Sequence, residues 1–331
     1  MHQLYFPVRE IAASLIVACA ALSGTGVAQA QDTFPSQSIR LIVPFSPGGQ
    51  TDIVSRQIGA KLTALIGQQV VVDNRGGAAG MIGSTEAARA EPDGYTLVVA
   101  TSSSHAINPT AMVKIAYDAV KDFAPITVIG TGPMAISVHP SVPAKTLKGL
   151  IAEVKAHPTD YSYGSSGTGG INHLAGELLK QKTGIKMVHV PYKGSGASIL
   201  DLVGGYIPVV VSTLSAALPH HTQNRIRTLA VASAKRSRGA PDIPTATEAG
   251  APGVIAYTYN ILLAPAGTPP NVIKTLSGNM NKVMADDTLI NALIKLGVDP
   301  IKESSPEKAA AMIKAEIAKW APLIKTLKLR R

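Results

Sequence analysis

Ile39-Arg-Leu-Ile-Val-Pro-Phe-Ser-Pro-Gly-Gly-Gln-Thr-Asp52 is the stretch that decides the fold. An apolar run, Ile39–Phe45, passes into the loop Ser46-Pro-Gly-Gly-Gln-Thr51, and Val54, Ile58, Leu62 and Leu65 then recur at helical spacing on one face. The same order of strand, glycine- and serine-rich loop and helix returns twice. Tyr161–Tyr163 leads into Gly164-Ser-Ser-Gly-Thr-Gly-Gly170, and Met187–Pro191 leads into Gly194-Ser-Gly196. Such loops leave backbone N–H groups bare at helix N-termini, where the aligned peptide dipoles favour an anion. Several of them around one cleft make a receptor for a small acid.

Outward from these copies the alternation continues. Thr51 offers an N-cap hydroxyl for the first helix; Val70–Asp73 and Tyr95–Ala100 read as strands, Gly83–Arg89 as a short helix and Thr101–Asn108 as a polar loop. Ile126–Ile129 runs into Gly130-Thr-Gly132, where the chain is expected to cross to a second lobe. That lobe reads as strands Ala135–Val138, Tyr161–Tyr163, Met187–Pro191, Ile207–Val211 and Leu229–Val231, with helices Leu147–Ala156, Asn172–Gln181 and Ala197–Val203 between them. The Pro- and Gly-rich Gly239–Gly253 is the return connection. Strand Ile261–Ala264 and helices Val272–Met284, Leu289–Leu296 and Pro306–Leu327 then pack back on the first lobe. This β-loop-α order predicts an α/β protein with sheets covered by helices. The expected division is a first lobe of residues 31–130 and 253–331 and a second of 131–252, with a ligand cleft at the carboxyl ends of the strands and hinge-bending between lobes.

Composition agrees with two lobes of ordinary size: 331 residues, 46% hydrophobic and 16% charged. Aromatic residues are only 4%, so the cores must be aliphatic and a surface that stacks nucleic-acid bases is not expected. The net charge of +10 is scattered, with small clusters at Lys235-Arg-Ser-Arg238 and in the Lys325–Arg331 tail, and reads as a solvated face. Excess positive charge raises the local concentration of an anionic ligand without selecting one.

Enzyme motifs fail on spacing. Gly77, Gly80 and Gly83 form G-x-x-G-x-x-G in place of the dinucleotide pattern, no Gly-Lys-Ser/Thr completes a phosphate loop, and G-x-S-x-G is absent. The histidines are dispersed and H-E-x-x-H does not occur, so neither a metal nor a cofactor is expected. His173 and Glu177 share a helix face at i, i+4 and read as a structural hydrogen-bonded pair; His220-His221 falls in an expected polar connection. The enzyme alternative is a hydrolase using a loop serine such as Ser165.

Residues 1–30 read as an export signal: Arg9, the apolar stretch Ile11–Leu22, then Ala28-Gln-Ala30, an A-x-A site. The stretch is short of the roughly 20 apolar residues that span a membrane. Cys19 is the single cysteine, so after cleavage no disulfide forms; the rival reading is lipidation, because Ile16-Val-Ala-Cys19 resembles a lipobox.

Taken together and in order, Pro44-Phe-Ser-Pro-Gly-Gly-Gln-Thr-Asp52, Asp73-Asn-Arg-Gly-Gly-Ala-Ala-Gly80, Asp93-Gly-Tyr-Thr96, Gly164-Ser-Ser-Gly167, His189-Val-Pro-Tyr-Lys-Gly194 and Leu263-Ala-Pro-Ala-Gly-Thr-Pro269 resemble the periplasmic receptors of tripartite tricarboxylate transporters, the Bordetella uptake gene family. The resemblance spans nearly the whole chain after the signal. It implies a two-lobed periplasmic binding protein fold of type II, a Venus flytrap without catalysis, that holds a small carboxylate and delivers it to the permease subunits of the transporter. An alternative output on the same fold is docking of the loaded receptor on a sensor kinase ectodomain. Carried over, the ligand positions are Ser46, Gly48, Gly49 and Asp52 in lobe one and Ser165, Ser166, Gly167 and Thr168 in lobe two, with Thr101, Ser102, Ser103 and Asn108 as walls. Asp52 would repel a carboxylate, so it reads as a loop organiser, while Arg75 and Lys193 are candidate counter-ions or surface cations. Pro208 and Ser212 stand where many members carry acidic residues, Tyr259 replaces a frequent Trp and Ile261 a Gly. Ser212 therefore joins the candidate ligand positions.

The export reading makes a direct prediction. N-terminal sequencing of the secreted protein returns Gln31 as first residue; a blocked, lipid-bearing Cys19 would establish the lipoprotein instead.

Overall fold

The computed structural model describes residues 1–2, 34–112, 114–192, 194–327 and 329. The export segment with Cys19 and Ala30, and also Lys193, lie outside the described residues.

Strand β1 (Ile39–Val43) is flanked by two parallel partners, β2 (Val70–Asn74) and β3 (Thr96–Ala100), with Leu41 in register with both Val72 and Leu97. β4 (Phe123–Val138) is 16 residues long. Two parallel pairings elsewhere join β5 (Ser162–Ser165) to β6 (Val188–Pro191) and to β7 (Val209–Thr213). After β8 (Arg227–Val231), the chain runs through a long irregular connection and returns as β9 (Tyr257–Pro265), antiparallel to β3. The short β10 (Asp299–Pro300) pairs with Gly130 and Thr131.

β4 serves both groups of strands. Its first part, Phe123–Pro133, pairs with β9, and Met134–Val138 pairs with β7 on one side and β8 on the other. Gly130-Thr-Gly132, where the chain is expected to cross to a second lobe, lie inside this one continuous strand. Pro125 sits at a shift of register, where a missing N–H costs no ladder bond. Pro133 is the last residue paired with β9, and the change of partners follows at Met134.

The helices are α1 (Gln50–Ile66), α2 (Met81–Ala88), a π-helical turn (Ser103–Ile107) running into α3 (Asn108–Ala111), α4 (Leu147–Ala156), α5 (Ile171–Thr183), α6 (Ser195–Val203), α7 (Leu214–Thr222), α8 (Pro270–Val283), α9 (Asp287–Lys295) and α10 (Pro306–Thr326). Three sequence expectations change. Thr51 lies inside α1, whose N-cap is the extended Gly49. Thr101–Asn108 is no loop: Ser104 Oγ receives the N–H of Thr101 and Thr101 Oγ1 that of Ser104, so the hydroxyls that signal loops here cap a buried helical turn. His220 and His221 belong to the last turn of α7, a helix hidden from periodicity by its shortness and by Pro219.

The interior is mostly aliphatic, with Ile39, Leu41, Ile42, Ile58, Leu97 and Ile129 fully buried. Several of the few aromatics pack together, as in the edge-to-face pair of Tyr117 and Phe123, ring centroids 5.8 Å apart. Trp320 of α10 donates to Glu316 Oε2 (3.0 Å) and Tyr257 of β9 donates to Glu316 Oε1 (2.8 Å), tying α10 to the sheet. Among the described residues no helix is long and apolar enough to cross a membrane.

Gly239, in the connection after β8, lies against the end of α9, where an added Cβ would overlap the Ile294 carbonyl oxygen. Gly239→Ala is expected to lower stability by about 1–3 kcal/mol, the usual cost of overpacking. Urea denaturation measures it, and an unchanged midpoint would mean that the connection yields freely.

Candidate functional site

Five helices that follow parallel strands begin without side-chain caps; the helical turn after β3, held by Thr101 Oγ1, is the exception. α1, α2, α5 and α6 have glycine at the N-cap (Gly49, Gly80, Gly170 and Gly194), and Thr213 at the start of α7 makes no cap bond. Away from this region, Thr146, Asp286 and Ser305 each accept the usual N3 N–H at the starts of α4, α9 and α10, while α8 opens on Pro269-Pro270. A glycine cap satisfies none of the first N–H groups of a helix, which remain for another acceptor.

Hydrogen bonds knit these ends together. Gln50 Nε2 donates to Asn260 Oδ1 (3.0 Å), Ser215 Oγ donates to Gln50 Oε1 (3.1 Å), and Asn260 Nδ2 donates to Thr51 Oγ1 (3.3 Å), joining α1, β9 and α7. The Ile171 N–H donates to Ser103 Oγ (3.1 Å), joining the π-helical turn to α5. Asn172 Nδ2 reaches Ser195 Oγ (3.3 Å), joining α5 to α6. All the members of the Gln50 network are buried. Gln50, Thr213, Ser215 and Asn260 were not singled out from sequence; the available signal was a lone Asn beside the apolar run Ile261–Ala264, a buried polar group that needs partners.

At the α1 end, Ser46 and Gly48 are exposed. Asp52 is buried beneath them: its Oδ2 accepts the Gly48 N–H (2.9 Å), and its Oδ1 accepts Asn74 Nδ2 (3.0 Å) and pairs with Arg56 (3.0 Å). Burial opposes its ionisation, yet Arg56, the Gly48 N–H and the Asn74 amide together outweigh it and hold the carboxyl below its ordinary range. The carboxylate thus closes the loop. Gly76 packs so closely here that a Cβ would stand 2.9 Å from Ser46 N. Arg75 pairs with Asp73 (3.0 Å), which leaves its charge engaged at the rim.

In the second loop, Ser165 is fully buried, with Ser166, Gly167 and Thr168 half-buried. Ser165 Oγ accepts the Gly167 N–H (3.1 Å) and lies 2.7 Å from His189 Nε2. Ser166 Oγ donates to Asn172 Oδ1 (2.8 Å), and the Gly169 N–H donates to His173 Nδ1 (3.2 Å). His173 Nε2 stands 3.9 Å from Glu177, too far for the hydrogen bond expected from their spacing. Glu177 instead accepts from Tyr163 Oη and Lys180 Nζ (2.7 Å each). Burial, reinforced by this carboxylate, pushes the Tyr163 phenol well up.

The wall residues are also committed. Ser102 Oγ donates to the Tyr257 carbonyl (3.2 Å) and accepts the Tyr259 N–H (3.3 Å), and Asn108 Nδ2 donates to the Ala79 carbonyl (3.0 Å). Thr101 is turned to Ser104. Ser212 is fully buried with its hydroxyl on the Thr213 carbonyl (3.1 Å); Tyr259 and Ile261 are fully buried, and Pro208 is half-buried. Among the described residues no group of His, Cys, Asp or Glu is arranged to hold a metal. A surface cavity of about 370 Å³ lies beside α8 and Lys302, and another of about 310 Å³ lies between α7 and the end of α9, with Ser215 of the Gln50 network in its lining.

Residues 54–329 match the model of the tripartite tricarboxylate transporter family receptor. Protein BugT of Bordetella pertussis is 34% identical over 306 residues, 92% of this chain and 94% of that protein. Two solved structures from Rhodopseudomonas palustris superimpose closely. Rpa4515 with adipate has a TM-score of 0.85 at 35% identity, covering 88% of this chain and 98% of that one. MatC with bound malate has a TM-score of 0.82 at 28% identity, covering 88% and 100%.

Removing the Asp52 carboxylate strands the Gly48 N–H and the Asn74 amide, so Asp52→Ala is expected to cost about 1.5–3 kcal/mol at neutral pH, as for hydrogen bonds to a charged group. Because the folded-state pKa is depressed, this stability is fully present above the unfolded carboxyl value and is lost as pH falls through the lower folded value. Denaturation from pH 7 down to pH 3 should show wild type and variant converging; a constant gap would mean that the charge is not what closes the loop.

Proposed function

The chain belongs to the tripartite tricarboxylate transporter receptor family, and from that premise we propose that it is exported to the periplasm, captures a small dicarboxylate between two lobes and passes it to the membrane subunits of such a transporter. The family is one of solute-binding proteins, not of enzymes. The lobes of the proposal are residues 31–130 with 253–331, and 131–252; β4 and the connection before β9 carry the chain between them.

One observation carries the reading: four helices that follow parallel strands, α1, α2, α5 and α6, start at a glycine that offers no side-chain cap, while α4, α9 and α10 carry side-chain caps. Uncapped N–H groups bind carboxylates through hydrogen bonds and the helix dipole without a buried cation. The relatives named above hold adipate and malate, each with two carboxylates. In this proposal Ser46, Gly49 and the first N–H groups of α1 take one carboxylate, while Gly48, its N–H held by Asp52, shapes the turn above them. Ser166, Gly167 and Thr168 at the tip before α5 face the other. Ser103 and the Gln50 network line the floor between them, Asp52 and Ser165 brace the loops from behind, and Thr101, Ser102, Asn108 and Ser212 shape the walls.

Malate, adipate and their dimethyl esters test this in a thermal-shift titration. A recognised acid at about 100 times its dissociation constant adds roughly 2.7 kcal/mol to the folded state. The matching ester is expected to give almost no shift. Equal shifts for acid and ester, or none across a wider panel of di- and tricarboxylates, would refute carboxylate recognition.

A further inference from the structure

The loop before α5 is held from beneath by two imidazoles. His173 of α5 and His189 of β6 stack with ring centroids 3.9 Å apart and planes 26° from parallel. His173 Nδ1 accepts the Gly169 N–H (3.2 Å), which places the ring proton of neutral His173 on Nε2. His189 Nε2 meets Ser165 Oγ, and that hydroxyl receives the Gly167 N–H. Gly167 and Gly169 both have positive φ, +131° and +77°, conformations that leave a glycine backbone free to turn unless its N–H is anchored. The two anchored N–H groups alternate with the half-buried Ser166 and Thr168.

We infer that His173 is a positioning residue of the binding site: its Nδ1 holds the Gly169 N–H inward and so sets the loop that presents Ser166 and Thr168 to the ligand. Ser165 acts in the same way on Gly167, with His189 behind it. The inference rests on the proposed contact between this loop and a carboxylate. A histidine pair on a serine resembles catalytic machinery in outline, but here the hydroxyl is fully buried and bonded to its own loop.

His173→Asn and His173→Leu form the test, because Asn and Leu have nearly the same shape and Asn Oδ1 branches from the same carbon as Nδ1. Both variants lose the stack on His189, so they differ in the side-chain amide, and exchange of the Gly169 N–H reads its acceptor oxygen. With malate and adipate as probes, the Asn variant should bind within about threefold of wild type and the Leu variant about tenfold or more weakly, the range of one lost hydrogen bond. A readout without ligand accompanies it: the Gly169 amide should exchange with solvent faster in the Leu variant than in the Asn variant. Equal amide exchange, or equal affinity in the two variants, overturns the inference. If wild type binds neither acid, the dicarboxylate reading fails by itself, and amide exchange still decides whether His173 holds the loop. Should the Leu variant not fold, His173→Gln replaces it, since its acceptor lies nearer the Nε2 position.

Discussion

Strand β4 hydrogen-bonds to one set of neighbours along its first part and to another along its last five residues, and the geometry of the site follows from where that change occurs. Gly132, just before it, lies against the Gln50 side chain, with no room there for a Cβ. Gln50 can therefore reach both Asn260 on the strand beside β4 and Ser215 at the start of α7. The strand so joins the starts of α1 and α7 through one hydrogen-bond network, and the proposed ligand site lies at the carboxyl ends of the parallel strands, where open α/β sheets bind ligands.

Among the described residues, the charged groups at these loops are paired. Arg75 is paired with Asp73, and Asp52 with Arg56. In the proposed binding mode an anion would be met here by backbone N–H groups, amides and hydroxyls. Each helix end contributes about 0.3–1 kcal/mol, so several ends and their hydrogen bonds must act together. Neutral donors suit a carrier, because a buried ion pair with the ligand would slow its release. The overall charge of +10 acts at longer range and concentrates anions near the surface.

Hydroxyl groups in this protein mostly brace loops. Ser165, Ser102 and Ser212 spend theirs on neighbouring backbone, and Ser104 and Thr101 cap one another. This is the low-cost way to hold glycine-rich segments still: a short side chain loses little rotamer entropy and satisfies a backbone group that would otherwise be buried unpaired.

The sequence alone determined the α/β order, the family and most element positions, since apolar periodicity and glycine loops are local signals; helix Leu147–Ala156 was read with its observed bounds. It pointed to the loops at Ser46–Gly49 and Ser165–Thr168 for the same reason. Only the tertiary structure decided that Gly130-Thr-Gly132 continues a strand, because its conformation depends on neighbours more than 100 residues away, such as Tyr259 opposite Thr131. Tertiary structure also decided the direction of each side chain in the loops. Whether Ser165 faces a ligand or His189 depends on the placement of a histidine 24 residues further on, and the spacing of residues along the chain carries no record of that distance.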